Sequence, residues 1–279
     1  MNGEVTFQEI STLGTPRLQQ TGIQQWDEEG VLHLKDFIPH DLIEAYVQER
    51  TNLIGSTDKW RPGWNDAVPY LRVQSMKELA CFRPLTEAIR PLIGGHEPGL
   101  HLCLTGFQST ERAWHQDRYL NPEYVGERYI AAWIALEDVH EDAGPFEYVP
   151  GSHRWPVIER SKVWSRMRQV GQNPDLPTWP SDSQSWVGTA CENEIQERGI
   201  KTARFLGKKG DVLLWHASLV HRGSKPKNPE LERRSLISHY SSIHARPDMQ
   251  SMRRMENGSF YFFFPEGLKE PSKSTHKPA

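Results

Sequence analysis

The fold is decided by residues 129–149, which read YIAAWIALEDVHEDAGPFEYV. Two short runs of β-branched, aromatic and small apolar residues, Tyr129–Leu136 and Phe146–Val149, lie on either side of a polar segment that contains Gly144 and Pro145. Runs of this length between turn-forming residues are typical of β-strands rather than of helices. The stretch therefore predicts two consecutive strands.

Similar short runs continue along the chain after about residue 98. They are Leu100–Phe107, Ala203–Leu206, Val212–Trp215, Leu219–His221, Ser235–Tyr240 and Ser259–Phe264. Because Gly, Pro and Asn clusters separate them, they indicate an all-β sandwich or jelly roll rather than βαβ units. We therefore predict a mainly β fold with flanking helices, whose core is a double-stranded β-helix of the jelly-roll or cupin-like type.

The first hundred residues have a different pattern, in which helices are prominent. Val31–Leu34 is a candidate strand, and an amphipathic helix opens near Pro39. Met76–Leu92 indicates one or two further helices, which end at Gly94-Gly95. We therefore predict a helix-rich N-terminal part over residues 1–98, followed by the jelly-roll core.

One segment interrupts the β pattern within the predicted core of residues 99–265. Between about residues 154 and 200 the chain carries four tryptophans, Trp155, Trp164, Trp179 and Trp186, together with several prolines, among them Pro174, Pro177 and Pro180. Insertions of this length often serve as a lid or a substrate wall, and a surface excursion held by aromatic packing is the alternative. We expect residues 266–279 to be a disordered tail, and residues 1–279 to form a single domain.

The composition restricts the class of protein. The chain of 279 residues has 25% charged residues and a formal net charge of -3, so we expect no nucleic acid and no anionic membrane as a partner. The three cysteines are widely spaced and form no CxxC pair, which argues against a disulfide framework or a zinc cluster. The sequence shows neither a secretory signal nor an apolar run of about 18 residues. We predict a cytoplasmic protein, and the sequence does not predict its oligomeric state.

The candidate metal ligands begin with His115-Gln116-Asp117. On an extended backbone, residues i and i+2 project to the same side, so an imidazole and a carboxylate at this spacing can bind one ion. A further histidine would complete the two-histidine, one-carboxylate set that is typical of non-haem iron(II) oxygenases. Two histidines follow the apolar run Val212–Trp215. We favour His221, which would begin a returning strand, over His216, which packing at the end of the preceding strand explains.

An iron site that uses 2-oxoglutarate also needs a fixed cation. The keto acid chelates iron and leaves a remote carboxylate, which the planar guanidinium of arginine binds through two parallel hydrogen bonds. Arg233-Arg234 lies about a dozen residues after His221 and opens the run Ser235–Tyr240. An arginine pair before a strand is by itself usually a solvated edge. The order of H-x-D, a distal histidine and then arginine makes the prediction specific.

Four stretches give the sequence a resemblance to the phytanoyl-CoA dioxygenase family. They read WHQDRYL (114–120), AAWIALEDVHEDAGPFEYVPGSH (131–153), GDVLLWHASLVHRGS (210–224) and RRSLISHY (233–240). The resemblance covers roughly residues 99–240 and, more loosely, residues 27–53. It implies an Fe(II)- and 2-oxoglutarate-dependent oxygenase with three iron ligands: His115, Asp117 and His221.

The resemblance also implies which arginine binds the cosubstrate. Arg233 corresponds to the residue that holds the remote carboxylate of 2-oxoglutarate. The family commonly has His-Gly-Ser where this chain has His221-Arg222-Gly223-Ser224. Because the additional residue shifts the count by one, Arg234 stays a rival to Arg233.

Other positions are expected to complete the two pockets. Ser224 corresponds to a serine that assists the arginine, and Trp133 to an aromatic wall of the cosubstrate pocket. Thr105, on the strand before the metal segment, is expected to contact the cosubstrate. Arg118 and Tyr119, directly after the metal aspartate, are expected to face or rim the substrate pocket.

The substrate is less well defined by the sequence. A polar and aromatic group in the N-terminal part is a candidate for the opposite wall of the substrate pocket, with ordinary packing as the alternative: Trp60, Arg61, Trp64, Asn65 and Arg72. From this group, Trp64 and Arg72 are our candidate substrate contacts. The mixture favours a small polar or zwitterionic metabolite over a long acyl chain.

The implied reaction is the hydroxylation of a C–H bond by Fe(II), 2-oxoglutarate and O2, with release of succinate and CO2. Asp117 favours hydroxylation over halogenation, because halogenating relatives replace this carboxylate with a small residue so that chloride can coordinate. Desaturation, ring closure or epimerisation in natural-product biosynthesis starts from the same hydrogen abstraction and is the alternative. A non-catalytic jelly-roll binding module is disfavoured, because the three ligands and Arg233 are all intact.

Overall fold

Two β-sheets face each other in the computed structural model, which describes residues 5–6, 20–54, 69–109, 111–249 and 251–264. The strands of these ranges are β1 (Val5–Thr6), β2 (Val31–Lys35), β3 (Pro98–Gly106), β4 (Tyr129–Ala135), β5 (Phe146–Tyr148), β6 (Ala203–Phe205), β7 (Val212–His216), β8 (His221–Gly223), β9 (Ser235–Ser242), β10 (Met252–Arg254) and β11 (Phe260–Phe262). The larger sheet has the order β1-β2-β7-β4-β9-β3-β11-β10, and the smaller sheet has the order β6-β5-β8. Most neighbouring strands are antiparallel. This arrangement confirms the predicted jelly-roll core.

Strand β4 is buried along its whole length because its sheet is covered on both sides. Alternate residues pack into a core that the sheet shares with the helices: Ile130, Ala132 and Ile134. The residues between them pack into a core between the two sheets: Ala131, Trp133 and Ala135. Successive side chains of a strand point to opposite faces, so burial of both faces explains why this strand is a continuous apolar run.

The core between the sheets is built largely from aromatic rings. Phe146 of β5 and Phe205 of β6 come from the smaller sheet, and Trp133 and Trp215 come from the larger sheet. The ring of Phe146 lies 4.8 Å from that of Trp215 and 5.4 Å from that of Trp133, measured between centroids. These contacts hold the two sheets together at the place where the candidate ligands lie.

The helices of the N-terminal part cover the outer face of the larger sheet. In the described ranges the α-helices are α1 (Gln20–Glu29), α2 (His40–Ile54), α3 (Gln74–Ala80), α4 (Arg83–Leu92), α5 (Arg160–Gln169), α6 (Trp179–Asp182) and α7 (Gln184–Arg198). Tyr46 of α2, Leu79 of α3 and Ile89 of α4 are fully buried in one cluster with Leu100 and Ile130 of the sheet. No helix in these ranges has both the length and the apolar character needed to span a membrane.

The N-terminal part also contributes to the larger sheet. The strand predicted at residues 31–34 is present as β2, which pairs antiparallel with β7. The segment predicted as one or two helices forms α3 and α4, and Pro84 lies in the first turn of α4. Because proline interrupts a continuing helix but fits a first turn, two helices form here rather than one.

The insertion at about residues 154–200 contains the three helices α5 to α7, which the sequence did not predict. Its four tryptophans are partly buried against a cluster that includes Trp114 and Tyr119: they are Trp155, Trp164, Trp179 and Trp186. Ile158 N–H donates to Oε1 of Gln116 at 2.9 Å, and the Arg160 guanidinium donates to the carbonyl of Tyr119 at 3.1 Å. The insertion therefore packs directly on the segment that carries the H-x-D motif.

Some strands of the structure also differ from the sequence-based prediction. The strand expected at Leu219–His221 begins only at His221, because Leu219 N–H closes a turn onto the carbonyl of His216 at 2.9 Å. Strands β1 and β10 were not predicted. The tail of residues 266–279, which we expected to be disordered, lies outside the described residues.

Gly188 of α7 packs against Ala113, two residues before His115. A Cβ atom at this position would lie 2.7 Å from Cβ of Ala113. We expect Gly188→Val to destabilise the docked insertion by about 1–3 kcal/mol, because this clash outweighs the gain in helix propensity. Thermal melting and the rate of proteolytic cleavage within residues 154–200 measure the effect. Asn193→Val, an exposed position on the same helix, is the control. Equal behaviour of the two variants would contradict this account of the docking.

Candidate metal centre

His115, Asp117 and His221 converge in the interior between the two sheets. One possible ligand atom from each lies within 4.8 Å of the others, and all three side chains are buried. Nε2 of His115 is 3.6 Å from Oδ1 of Asp117, and Nε2 of His221 is 3.7 Å from Oδ2. These separations are suitable for one ion held between three ligands.

Backbone pairing brings the two histidines together. His115 forms an isolated antiparallel bridge with His221, in which each N–H donates to the other carbonyl at 3.0 Å. Gln116 is extended, with φ -109 and ψ 140, so Asp117 projects to the same side as His115, as the spacing predicts. The H-x-D motif is nevertheless not part of a continuous strand, because Asp117 already begins a short 3-10 helix that ends at Leu120.

Hydrogen bonds fix the orientation of both imidazoles. Nδ1 of His115 bonds to the carbonyl of Ala113 at 2.9 Å, and Nδ1 of His221 bonds to the carbonyl of Leu219 at 3.0 Å. Since a carbonyl oxygen only accepts, each Nδ1 carries the proton. Each Nε2 is therefore left with a lone pair directed at the carboxylate, which is the usual arrangement of histidine ligands.

The protonation states also suit a divalent cation. Burial lowers the pKa of His115 to about 4, with the positive charge of Arg112 as the next cause, and burial also lowers the pKa of His221. Burial opposes the charge of Asp117, but the attraction to His221 and His115, where these imidazoles are protonated, holds the pKa of Asp117 below its usual value. At neutral pH the set consists of two neutral imidazoles and one carboxylate, the forms that bind metal.

Trp215 of β7 orients the carboxylate from the opposite side. Its indole N–H donates to Oδ2 of Asp117 at 2.9 Å, and both groups are buried. The hydrogen bond satisfies one oxygen of Asp117 and fixes its plane relative to the two histidines. Trp215 thus supports the ligand set without belonging to it.

A cavity of about 100 Å³ lies beside the three residues. It is further lined by Leu104, Arg112, Trp133, Phe146, Trp215, Gly223, Arg233, Ile237 and His239. Among the described residues, four buried nitrogen atoms of this lining have no hydrogen-bond partner: Nε of Arg112, Nε1 of Trp133, Nε of Arg233 and Nε2 of His239. Buried polar atoms are rarely left unpaired in proteins, so these atoms indicate a polar ligand in the cavity.

The structure places Arg233, and not Arg234, in the cavity wall. Arg233 is 4% exposed, its guanidinium carbon lies 4.6 Å from the ring centroid of Trp133, and Nη1 donates to the carbonyl of Gly144. Burial lowers the pKa of Arg233 to about 10, so the side chain is still charged at neutral pH. Arg234 is partly exposed and pairs with Glu232 and with Glu137 outside the cavity.

Ser224 and Thr105 lie differently from the expectation. The Ser224 hydroxyl donates to the carbonyl of Pro145 at 2.6 Å, next to the Gly144 carbonyl that binds Arg233. Thr105 faces helix α2, where its hydroxyl is hydrogen-bonded to Tyr46.

The orientation of Thr105 is a correction with a physical cause. A register shift in β3 between Leu100 and Leu102 changes which residues of the strand face each side. Leu100, Cys103 and Phe107 pack with the helices, as Thr105 does, and Leu104 lines the cavity instead.

Three of the residues expected to contact substrate, Arg118, Tyr119 and Arg72, do not line the metal cavity. Arg118 forms an ion pair with Glu127 at 3.4 Å, and Tyr119 is buried under the insertion, 5.9 Å from the ring of Trp179. Arg72 is an exposed residue next to a short 3-10 helix and is not part of this lining. Trp64 lies outside the described residues.

His216 is not part of the ligand group. Its ring packs at 5.7 Å from Trp26 and 5.3 Å from His153, and its Nδ1 accepts from the N–H of Ser218 at 3.1 Å. These contacts agree with the packing role that its position suggests.

Sequence reasoning missed two polar residues of the cavity. His239 lies on β9, where alternate residues starting from Arg233 face inward, so counting along the strand in steps of two would have identified it. Arg112 lies three residues before His115, and its N–H donates to the carbonyl of Gly223 at 3.0 Å. No motif marks Arg112, because its position depends on pairing with β8.

Comparisons with known proteins identify a family and structures with the same fold. The model of the phytanoyl-CoA dioxygenase (PhyH) family matches residues 26–235. No curated protein matches the sequence. EctD from S. alaskensis has a similar structure, with a TM-score of 0.61 and 18% identity over 84% of this chain and 80% of that chain.

Two other solved structures share the fold. The epimerase SnoN from nogalamycin biosynthesis, in complex with Fe3+, alpha ketoglutarate and nogalamycin RO, has a TM-score of 0.57 and 20% identity over 79% of this chain and 82% of its own. HygX from Streptomyces hygroscopicus, with nickel and 2-oxoglutarate bound, has a TM-score of 0.56 and 16% identity over 82% of this chain and 88% of its own. At these identities the likeness establishes the fold.

Loss of the hydrogen bond from Trp215 should weaken metal binding. We expect Trp215→Phe to raise the Kd for Co(II) by about 10–100-fold, because the carboxylate loses the donor that orients it. Titration of the metal-free protein, followed by the visible absorption of bound Co(II), measures this change. Trp133→Phe is the matched control, since the indole N–H of Trp133 has no partner. Similar losses in both variants would show that aromatic packing, and not the hydrogen bond, matters.

Proposed function

We propose that this chain, which belongs to the phytanoyl-CoA dioxygenase family, is an Fe(II)- and 2-oxoglutarate-dependent oxygenase that hydroxylates a C–H bond of a small polar molecule. The observation that carries the proposal is the convergence of His115, Asp117 and His221 beside a cavity that contains the buried Arg233. The side chains of this cavity fit both the metal and the cosubstrate.

The donor set fits ferrous iron. Two neutral imidazole nitrogens and one carboxylate are the ligands of the non-haem iron(II) oxygenases, and they leave coordination positions free for other ligands. Each histidine has its proton on Nδ1, bonded to a backbone carbonyl, so no side chain has to rearrange before metal binds. The set is therefore preorganised for a divalent ion.

The cavity lining fits 2-oxoglutarate. Arg233 would hold the remote carboxylate, since its Nε is buried and unpaired and no carboxylate among the described residues lies within ion-pair distance of it. Trp133 would form one wall, with the guanidinium stacked on its ring. Ser224 would act indirectly, because it fixes the loop of Gly144 and Pro145 on which Arg233 rests.

The protein's own part in the reaction is positioning and exclusion of water. When bound, iron and 2-oxoglutarate supply the activation of O2 and the oxidation of the C–H bond, with release of succinate and CO2. The insertion of residues 154–200, packed on Trp114 and Tyr119, would act as a lid over the metal segment. A closed, preorganised site keeps the substrate aligned and the reactive species away from water.

The second candidate function is a different reaction, such as epimerisation or ring closure, that starts from the same oxidation of a C–H bond. SnoN is an epimerase, and SnoK, which shares the fold with a TM-score of 0.56 and 15% identity over 81% of this chain and 85% of its own, is a carbocyclase. Because these reactions also begin at a C–H bond, product mass decides between them: hydroxylation adds one oxygen atom, and epimerisation leaves the mass unchanged.

A reducing compartment such as the cytoplasm is part of the proposal. Cys81, Cys103 and Cys191 are buried and not joined in disulfides. Free thiols of this kind persist where the cellular redox buffer keeps them reduced.

Anaerobic titration with Fe(II) and 2-oxoglutarate tests the proposal. A weak visible charge-transfer band should appear with the wild-type protein and be lost in His115→Ala, because the variant lacks one ligand of the metal. His216→Ala, a histidine outside the ligand group, should keep the band. A folded wild-type protein without the band would overturn the proposed function.

Arg233 and Arg234 should differ in their effect on the cosubstrate. We expect Arg233→Gln to raise the Kd of 2-oxoglutarate by about 10–100-fold, since a charged hydrogen bond contributes about 1.5–3 kcal/mol. The Kd of Fe(II) alone should not change. Arg234→Gln should leave both constants at the wild-type value. A larger loss in Arg234→Gln would assign the carboxylate to the other arginine.

A further inference from the structure

His239 of β9 presents one unused nitrogen atom to the metal cavity. The side chain lines the cavity and is 7% exposed. Its Nδ1 is hydrogen-bonded to the hydroxyl of Tyr129, whereas its Nε2 is buried and has no partner among the residues that the structure describes. Buried polar atoms without a partner are costly, so the position is best explained by a bound molecule that supplies one.

The pairing of the larger sheet places His239 at the level of the metal ligands. Ala131 of β4 lies opposite Trp215 of β7 on one side and opposite His239 on the other. The strands β7 and β9 are about 9.5 Å apart, yet the two rings lie only 6.0 Å apart between centroids. The rings therefore lean toward each other over the small side chain of Ala131. Since Trp215 donates to the carboxylate of Asp117, the ring of His239 lies close to the ligand group.

His239 is nevertheless not a fourth ligand of the metal. Among the described residues, the side chains here that could together hold one ion are those of His115, Asp117 and His221. Both of those imidazoles lie within ion-pair distance of the Asp117 carboxylate, at 3.6 and 3.7 Å, whereas no such contact joins His239 to a carboxylate in the described ranges. The free nitrogen is therefore available to a molecule that is bound beside the ion.

Arg233 marks the opposite end of the cavity. Its guanidinium carbon lies over the ring of Trp133, 4.6 Å from the centroid. Trp133 is the next residue of β4 after Ala131 on this face of the sheet, one step of about 6.6 Å along the strand. A five-carbon keto diacid is long enough to span such a step. Arg233 therefore lies near one end of a diacid bound in the cavity, and His239 lies near the other.

We infer that Nε2 of His239 donates a hydrogen bond to the iron-binding carboxylate of 2-oxoglutarate, and that Tyr129 is a positioning residue that keeps the proton on this nitrogen. The inference rests on the proposed function, because it assigns a further residue to the same cosubstrate. A carboxylate only accepts hydrogen bonds, so Nε2 has to carry a proton. It does so when the Tyr129 hydroxyl donates to Nδ1. With Arg233 at the remote carboxylate, the cosubstrate is then held at both ends and has one orientation at the metal.

Anaerobic titration of the Fe(II)-loaded protein with 2-oxoglutarate tests this contact. We expect His239→Phe to raise the Kd of 2-oxoglutarate by about 10–100-fold, since a hydrogen bond to a charged group is lost. The maximum of the charge-transfer band should also shift, because the lost donor acts on the end of the cosubstrate that binds iron. His239→Gln, whose amide N–H can replace the imidazole N–H, should retain the wild-type band and a Kd within about threefold of the wild-type value. The Kd of Fe(II) alone should be unchanged in both variants.

Two further variants separate the ends of the cosubstrate and test the role of Tyr129. Arg233→Gln acts on the remote carboxylate, so it should raise the Kd of 2-oxoglutarate without moving the band maximum. Tyr129→Phe leaves the imidazole in place but removes the donor to Nδ1. It should raise the Kd less than His239→Phe does and shift the band in the same direction.

The inference would be overturned by a His239→Phe variant with the wild-type Kd and band, since Nε2 would then not contact the cosubstrate. A raised Kd with an unmoved band would place the contact at the remote end instead. Equal losses in His239→Phe and His239→Gln would reduce the residue to packing, and a raised Kd of Fe(II) would make it a metal ligand. Tyr129→Phe with the wild-type Kd and band would contradict the inference even if His239→Phe did not fold. Failure of the proposed function is distinct, since the wild-type protein itself would then lack the band.

Discussion

The antiparallel bridge between His115 and His221 is the interaction on which the site depends. Each backbone N–H donates to the carbonyl of the other residue at 3.0 Å, so two segments that are distant in sequence lie directly opposite each other. Side chains at opposed positions of an antiparallel pair are close neighbours. The extended Gln116 then brings Asp117 to the same side, and Trp215 orients the carboxylate from the larger sheet. Backbone pairing therefore sets the ligand geometry before any ion binds.

The positions of residues whose contacts are close in sequence, or on one strand, could be predicted from the sequence. The alternation of an extended chain predicts that His115 and Asp117 share a side, and the apolar run Tyr129–Leu136 predicts the strand β4. Thr105 was expected to contact the cosubstrate, but the register shift between Leu100 and Leu102 puts it on the side of β3 that faces the helices. Arg112 could not be predicted, since its place is set by a hydrogen bond to Gly223, far away in the sequence.

The helices of the insertion show a different limit of sequence reasoning. Their sequence has no strong apolar stripe of its own, and their stability comes from tryptophans packed on Trp114 and Tyr119. Tertiary packing of this kind overrides weak local preference. It also links the insertion to the site, because the residues that receive the tryptophans flank His115 and Asp117. Packing of the insertion and placement of His115 and Asp117 therefore depend on the same residues.

Two arginines in the cavity lining, Arg112 and Arg233, can balance the negative charge of molecules bound in this buried site. Water is largely excluded, so each charge has to be matched locally. Metal and keto acid together bring no net charge, and Asp117 balances one of the two arginines. Arg233 is stacked on Trp133 and bonded to the carbonyl of Gly144, whereas the Nε of Arg112 is buried without a hydrogen-bond partner among the described residues. The balance of charge in this cavity therefore depends on the anionic groups of the ligands that fill it.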